Sequence, residues 1–198
     1  MSASDSAYYD NYGKGVGTNI PYSYLYYLYQ GNPGDASGAK KSAVLFPAFD
    51  FTGKTSGLTI TKLEVYLRNR HSYNSNGLTA YITAHNDASL GSSLPVASTA
   101  CSVVTTIFTK GQGKWVTLPS SWHDNFDSNG TCRGILLGIT NPNTTPDTYY
   151  EDIDNYGYFD GINLDDAPRI RVTYRYNSDV GSQNSGGGGG SGGDYIAI

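Results

Sequence analysis

The sequence predicts an all-β fold, a jelly-roll-like antiparallel β-sandwich with one short helical turn and flexible ends. Three observations carry that prediction. Several short stretches alternate apolar and polar residues with a period of two, as half-buried strands do. Clusters of Gly, Asn, Asp and Pro punctuate them. Nowhere does an apolar stripe with helical spacing persist for three turns. At 198 residues the chain fits one medium all-β domain, or a smaller one with tails. A closed barrel is the second architecture the pattern allows.

In chain order, "VLFPAFDF" (44–51) is an apolar run holding Pro47. A proline removes a ladder donor, so this segment is expected as an edge or bulged strand. From Lys62 the alternation is clean, with Leu63, Val65 and Leu67 on one face and Glu64, Tyr66 and Arg68 on the other. "SYNSNG" (72–77) reads as a turn into "LTAYITAH", where Leu78, Ala80, Ile82 and Ala84 alternate with Thr79, Tyr81, Thr83 and His85. Strand, polar turn and strand predict a hairpin, with His85 outward or on the rim. Further strands are expected at 101–108, 114–118, 133–139 and 169–174, the last facing Ile170, Val172 and Tyr174 one way. "SSWHDNF" (120–126) is the one expected helical turn, with Ser120 or Ser121 as N-cap and Asp124 in its first turn.

The two ends differ from this core. Residues 1–42 hold Tyr22, Tyr24, Tyr26, Tyr27 and Tyr29 around Leu25 and Leu28 and are expected to form an assembly contact ahead of a sandwich spanning 43–176. Residues 177–198 are a Gly-rich linker ending in "DYIAI". Such a linker does not fold alone, while an apolar tip on a tether suits docking on a neighbour as an added strand or in a groove. Tyr24, Tyr26, Tyr195, Ile196 and Ile198 are therefore the candidate assembly residues.

Composition narrows the function classes. Tyrosine accounts for 18 residues and the formal charge is −4, with 13 basic and 17 acidic side chains. A Tyr-rich, charge-poor surface suits an uncharged ligand or a subunit interface. No basic tract marks a nucleic-acid footprint, and no run is long enough for membrane insertion. The N-terminus carries neither a basic n-region nor an apolar h-region, the expectation for a protein made in the cytoplasm without a signal peptide. Cys101 and Cys132 are the only cysteines, and a cytoplasmic origin favours two free thiols over a bond.

Chemistry is sparse. There is no GxSxG, HExxH, P-loop or dinucleotide fingerprint. His71, His85 and His123 lie on separate segments and mark no zinc site, and no cofactor is expected. The stretch "YYEDIDNYGYFDG" (149–161) concentrates Glu151, Asp152, Asp154 and Asp160 among aromatic residues. A glycosidase needs two carboxylates across a sugar, so a second acid would have to come from Asp50 or Asp124. The stretch lacks EF-hand spacing. Tyr156 and Tyr158 share a face if it is extended, and rings beside carboxylates and amides suit sugars. Tyr73, Trp122, Tyr150, Tyr156 and Tyr158 are the candidate glycan contacts. An ordinary sheet edge trimmed with tyrosine accounts for them equally well.

The succession "ITKLEVYL" (60–67), "GKWVTLP" (113–119), the Trp-containing turn 121–126, "GILL" (134–137), "NYGYF" (155–159) and "PRIRVTY" (168–174) resembles a β-sandwich domain of bacteriophage minor tail and tail-fibre proteins, similar in look to carbohydrate-binding jelly rolls. The likeness covers roughly 43–174. It implies a non-enzymatic virion component at the tail tip or fibre, contacting host surface glycan and other virion proteins as a homo-oligomer, with a trimer favoured. It supplies no catalytic residue. A purely structural tail or capsid decoration subunit is the alternative, and a cell-wall glycosidase the third.

Overall fold

A computed structural model describes residues 1–10, 13–14, 26–34, 38–47, 58–126, 131–143, 155–176 and 195–197. Its strands are β1 (Asp5–Asp10), β2 (Gly13–Lys14), β3 (Tyr27–Gln30), β4 (Lys41–Leu45), β5 (Leu58–Ser72), β6 (Leu78–His85), β7 (Val104–Phe108), β8 (Gly113–Leu118), β9 (Gly134–Leu137), β10 (Gly157–Asp160), β11 (Arg169–Tyr176) and β12 (Tyr195–Ala197). They form two antiparallel sheets, one ordered β2-β1-β4-β9-β6-β7, the other β12-β11-β5-β10-β3 with β8 also paired to β5. The protein is an all-β sandwich.

The alternation seen in the sequence becomes the core. Leu63, Val65 and Leu67 of β5, Ile170 and Val172 of β11, and Phe159 of β10 turn inward against Val44, Ile135, Leu137, Leu78, Ala80, Ile82 and Phe108 of the other sheet. Phe108 and Phe159 meet edge to face at 5.1 Å across the sandwich. β9 is buried along its whole length because the first sheet is covered on both faces. On its outer face Ala7, Tyr9, Ala43, Leu136 and Ile139 pack under Leu90 and Ala97 of the long β6–β7 connection. A continuous apolar run such as "GILLGI" is the expected signature of a strand buried on two sides.

Four expectations need correction. β5 and β6 are not a hairpin: β5 pairs with β8, β10 and β11, whereas β6 pairs with β7 and β9, so residues 73–77 carry the chain from one sheet to the other. β4 is no edge strand. It lies between β1 and β9 and ends at Leu45, before Pro47; residues 48–51 fall outside the described residues. The N-terminal segment is not separate from the sandwich, since it supplies β1 to the first sheet and β3 to the second. His85 is fully buried, its Nε2 3.1 Å from the Val44 carbonyl oxygen, because β6 is an interior strand whose outer face is covered by the β6–β7 connection, where Ala97 bridges to it.

Burial holds the His85 imidazole below the ordinary histidine value of 6.5, against the opposing pull of its Val44 bond and of Asp87. The unfolded chain therefore binds the proton more readily than the folded one. Stability is full above pH 6.5 and falls as pH drops below it, by up to about 1.4 kcal/mol per pH unit for one such group. Melting temperatures measured from pH 7 to pH 5 are expected to show this slope, and His85→Gln to flatten it.

The helical turn is a 3-10 helix, Ser120–Asn125, with Pro119 at the N-cap position and no side-chain cap, so the expected serine cap and the acidic first turn are both absent. Cys101 and Cys132 lie with their sulfurs 3.8 Å apart in the core, as free thiols. The outer edge of β11 is covered by both chain ends. Met1 exchanges backbone hydrogen bonds with Ile170, and β12 lines up Tyr195 opposite Tyr174 and Ala197 opposite Val172. Covered edges do not template aggregation. Tyr195–Ala197 of the "DYIAI" tip thus find their strand partner within the same chain.

Candidate functional site

The outer face of the second sheet carries a band of tyrosines built from three strands and the turn beyond them. In β3, Leu28 and Gln30 go inward and Tyr27 and Tyr29 outward. β10 sends Phe159 to the core and Tyr158 outward, between Tyr29 on one side and His71 on the other. The register then shifts. Tyr158 faces His71 but Phe159 faces Asn69, so Arg70 is the extra residue of a β-bulge. This reverses the face parity of β5. Without it His71 and Tyr73 would continue the inward row of Leu67 and Asn69; with it they join the outer band.

The rings touch in sequence. Tyr27 lies 4.9 Å and Tyr29 5.1 Å from Tyr158, centroid to centroid. Tyr156 runs nearly parallel to Tyr29 at 6.4 Å and to Tyr73 at 4.8 Å. His71 meets Tyr73 edge-on at 4.4 Å and Tyr158 nearly parallel at 5.5 Å. Tyr8 of β1 extends the band, 5.0 Å from Tyr29, with the Lys40 ammonium over both rings at 5.3 and 5.9 Å. Tyr156 is held by its backbone, whose carbonyl accepts from the Tyr73 N–H at 3.3 Å. It also passes so close to Gly31 (φ +82°) that a Cβ there would sit 2.8 Å from its main chain.

Burial and the neighbouring phenols push the Tyr29 hydroxyl up to about 12, and burial raises Tyr158 in the same direction. Both phenols therefore stay protonated at neutral pH, able to donate and accept. Burial, then the nearby Lys110, lowers the His71 imidazole, which favours its neutral form. Asp160, the carboxylate on the band, is buried and doubly bonded by Arg70 at 2.8 and 3.2 Å. At the far end Tyr73 is 63% exposed and flanks a groove of about 300 Å³ lined by Ser72, Asn74, Ser75, Thr109 and Lys110.

Of the residues singled out from sequence, the fold brings Tyr73, Tyr156 and Tyr158 together. Trp122 is a correction. It is fully buried, stacked on Phe126 at 6.0 Å with its indole N–H donated to the Ser102 carbonyl, so it is a core anchor and touches no ligand. Asp124 sits on the 3-10 helix that follows β8 at the opposite end of β5 from Tyr73, and is no second acid for Asp160. Tyr150, Glu151, Asp152, Asp154, Asp50, Tyr24 and Ile198 lie outside the described residues. Tyr26 is 41% exposed just ahead of β3; Tyr195 and Ile196 are in β12. Among the described residues no group of three metal-binding side chains converges.

Sequence reasoning passed over Tyr8, Tyr27, Tyr29 and His71 as site residues. "YLYQ" carried a signal, since Tyr-Leu-Tyr is a period-two strand with its tyrosines on one face. It also missed a second feature of the same sheet face. Glu64 binds Lys62 at 2.9 Å and Arg171 at 2.7 Å, and Asp166 binds Arg68, Tyr66 and, at 3.7 Å, Arg169. The Arg171 and Arg169 guanidinium groups lie over Trp115 and Tyr66 at 4.3 and 4.4 Å. Burial works against the Glu64 charge, but its hydrogen bonds from Lys62 and Arg171 prevail and hold the carboxyl below its ordinary range.

No protein-family model matches the chain and no curated protein matches its sequence. The functional reading therefore rests on this geometry and on the sequence motifs.

Proposed function

We propose that the protein is a non-enzymatic virion component of a bacteriophage tail tip or fibre that binds host surface glycan along the tyrosine band. The observation that carries the binding half of this reading is the continuous row Tyr27, Tyr158, Tyr29, Tyr156, Tyr73, ending beside the polar groove at its most exposed ring. Aromatic faces pack on the C–H faces of sugars, while phenols, amides and hydroxyls bond their hydroxyl groups. The groove is at the lower end of the volumes that hold small ligands. Arg70 ties up Asp160, the one carboxylate of the band among the described residues, which supports binding over acid–base chemistry. The virion half is supported by the resemblance of residues 43–174 to tail β-sandwich domains.

The test is retention of the purified protein on host cell-wall preparations, comparing wild type with Tyr73→Ala plus Tyr156→Ala. Loss of tenfold or more in affinity with an unchanged melting curve is the expected result. Retention unaffected by the double substitution would remove the band from the site.

A structural subunit is the second reading, and β12 favours it. A strand of three residues at the end of an 18-residue linker (177–194) completes the β11 edge within one chain and has the reach to complete that of a neighbour. Its signature is a defined oligomer by light scattering with no glycan retained.

A further inference from the structure

We infer that the outer face of the second sheet selects an acidic glycan, a polysaccharide carrying sparse carboxylate or phosphate groups, which its cationic half grips while the tyrosine band holds the sugar rings. This rests on the glycan-binding reading above and specifies the class of glycan. The chain as a whole is acidic, with a formal charge of −4. Yet this one face gathers Lys62, Arg68 and Arg70 from β5 and Arg169, Arg171 and Arg175 from β11. Strand alternation puts the three β11 arginines on one side, opposite the buried Ile170, Val172 and Tyr174.

Among the described residues three carboxylates, Glu64, Asp160 and Asp166, bond these cations. Two of them are shared, Glu64 between Lys62 and Arg171, and Asp166 between Arg68 and Arg169. Among the described residues, six cations against three carboxylates leave three positive charges in excess. Counting the exposed Asp165 of the neighbouring loop still leaves two. The guanidinium groups are held by Trp115 and Tyr66 and by the shared acids, so little ordering is left to lose on binding. Their side chains remain accessible, at 29 to 41% for the four paired arginines and 48% for Lys62.

The geometry separates an acidic glycan from other anions. Arg169 to Arg175 spans roughly 20 Å of strand, so the surplus charge is thin, and the fixed carboxylates among the cations repel a dense phosphate chain. A single nucleic-acid strand presents a charge about every 3.4 Å, more than this face can neutralise. A polymer with anions spaced along uncharged sugar rings matches both halves: charge where the arginines lie, ring faces where Tyr158, Tyr29, Tyr156 and Tyr73 lie. Arg70, the bulge residue, is where the two halves join.

Affinity electrophoresis of the full chain through gels holding hyaluronan (one carboxylate per two sugar rings), a sparsely phosphorylated mannan or neutral dextran tests this, with a single-stranded oligonucleotide in a parallel gel. The expected result is retardation by at least one acidic polymer tenfold or more stronger than by dextran, weakening with salt. Whether the carboxylate or the phosphate polymer is retained identifies the anion. Arg171→Gln plus Arg175→Gln is expected to cut that retention about tenfold and flatten the salt dependence; Lys62→Glu plus Arg175→Glu, at more exposed positions, repeats the test should the first pair melt early. Retention by dextran as strong as by the acidic polymers, abolished by Tyr73→Ala, would overturn this inference and leave the glycan reading in place. Acidic-polymer retention unchanged in both arginine variants would also overturn it. Oligonucleotide retention matching the acidic polymers would overturn it in favour of a nucleic-acid surface. No retention by any polysaccharide would overturn both readings.

Discussion

Trp122→Ala is expected to cost about 3–5 kcal/mol of stability, the range for removing a large buried aromatic side chain, and the Ser102 carbonyl loses its indole donor. The indole is fully enclosed and parallel to Phe126 at one end of the sandwich, on a 3-10 helix with no side-chain cap to hold it independently. Urea unfolding followed by circular dichroism measures this. Tyr73→Ala, at an exposed ring, is expected to stay within about 0.5 kcal/mol of wild type. The contrast separates the two aromatic residues, one an anchor of the core and the other a rim of the site. A Trp122→Ala protein as stable as wild type but unable to bind glycan would reverse that assignment.

Gly134→Ala is the second large effect, expected at about 3 kcal/mol, the upper end of overpacking costs. Gly134 pairs with Leu45 of β4 and with His85 of β6, and its missing side chain is the space through which His85 reaches the Val44 carbonyl. A Cβ there would collide with both the Val44 carbonyl oxygen and the His85 ring. Neither can yield cheaply, since one is backbone in an interior strand and the other is fully buried. Gly91→Ala is the internal control: a Cβ at Gly91 meets nothing within 4 Å, and a near-neutral change is expected. Thermal melts of the two variants side by side provide the comparison.

The strands with strict alternation were legible because one of their faces is core: Leu63 to Leu67, Leu78 to Ala84 and Ile170 to Tyr174 are buried as their period requires. What alternation does not encode is which sheet a strand joins. "SYNSNG" looks the same whether it closes a hairpin or arches between sheets, and here it arches. His85 shows the converse limit, because a polar residue out of phase with its apolar neighbours reads as exposed until a second layer covers it. Tyr156 and Tyr158 were found from local spacing. Tyr73 belongs with them only through the bulge at Arg70, which leaves no mark in the sequence. The arginine face was hidden for a different reason. Arg68 and Asp166 are 98 residues apart and Glu64 and Arg171 are 107 apart, so no linear tract announces a basic surface that pairing β5 with β11 assembles.

The tyrosine band as a glycan site is the central claim, and ring-resolved NMR on tyrosine-labelled protein tests it most directly. Host cell-wall fragments are titrated in, with assignments made by single Tyr→Phe substitutions. Shifts concentrated on Tyr73, Tyr156, Tyr158 and Tyr29, with Tyr9 on the opposite sheet unmoved, are the predicted result. Saturable binding that shifts none of these four rings would contradict it and place the site elsewhere on the molecule.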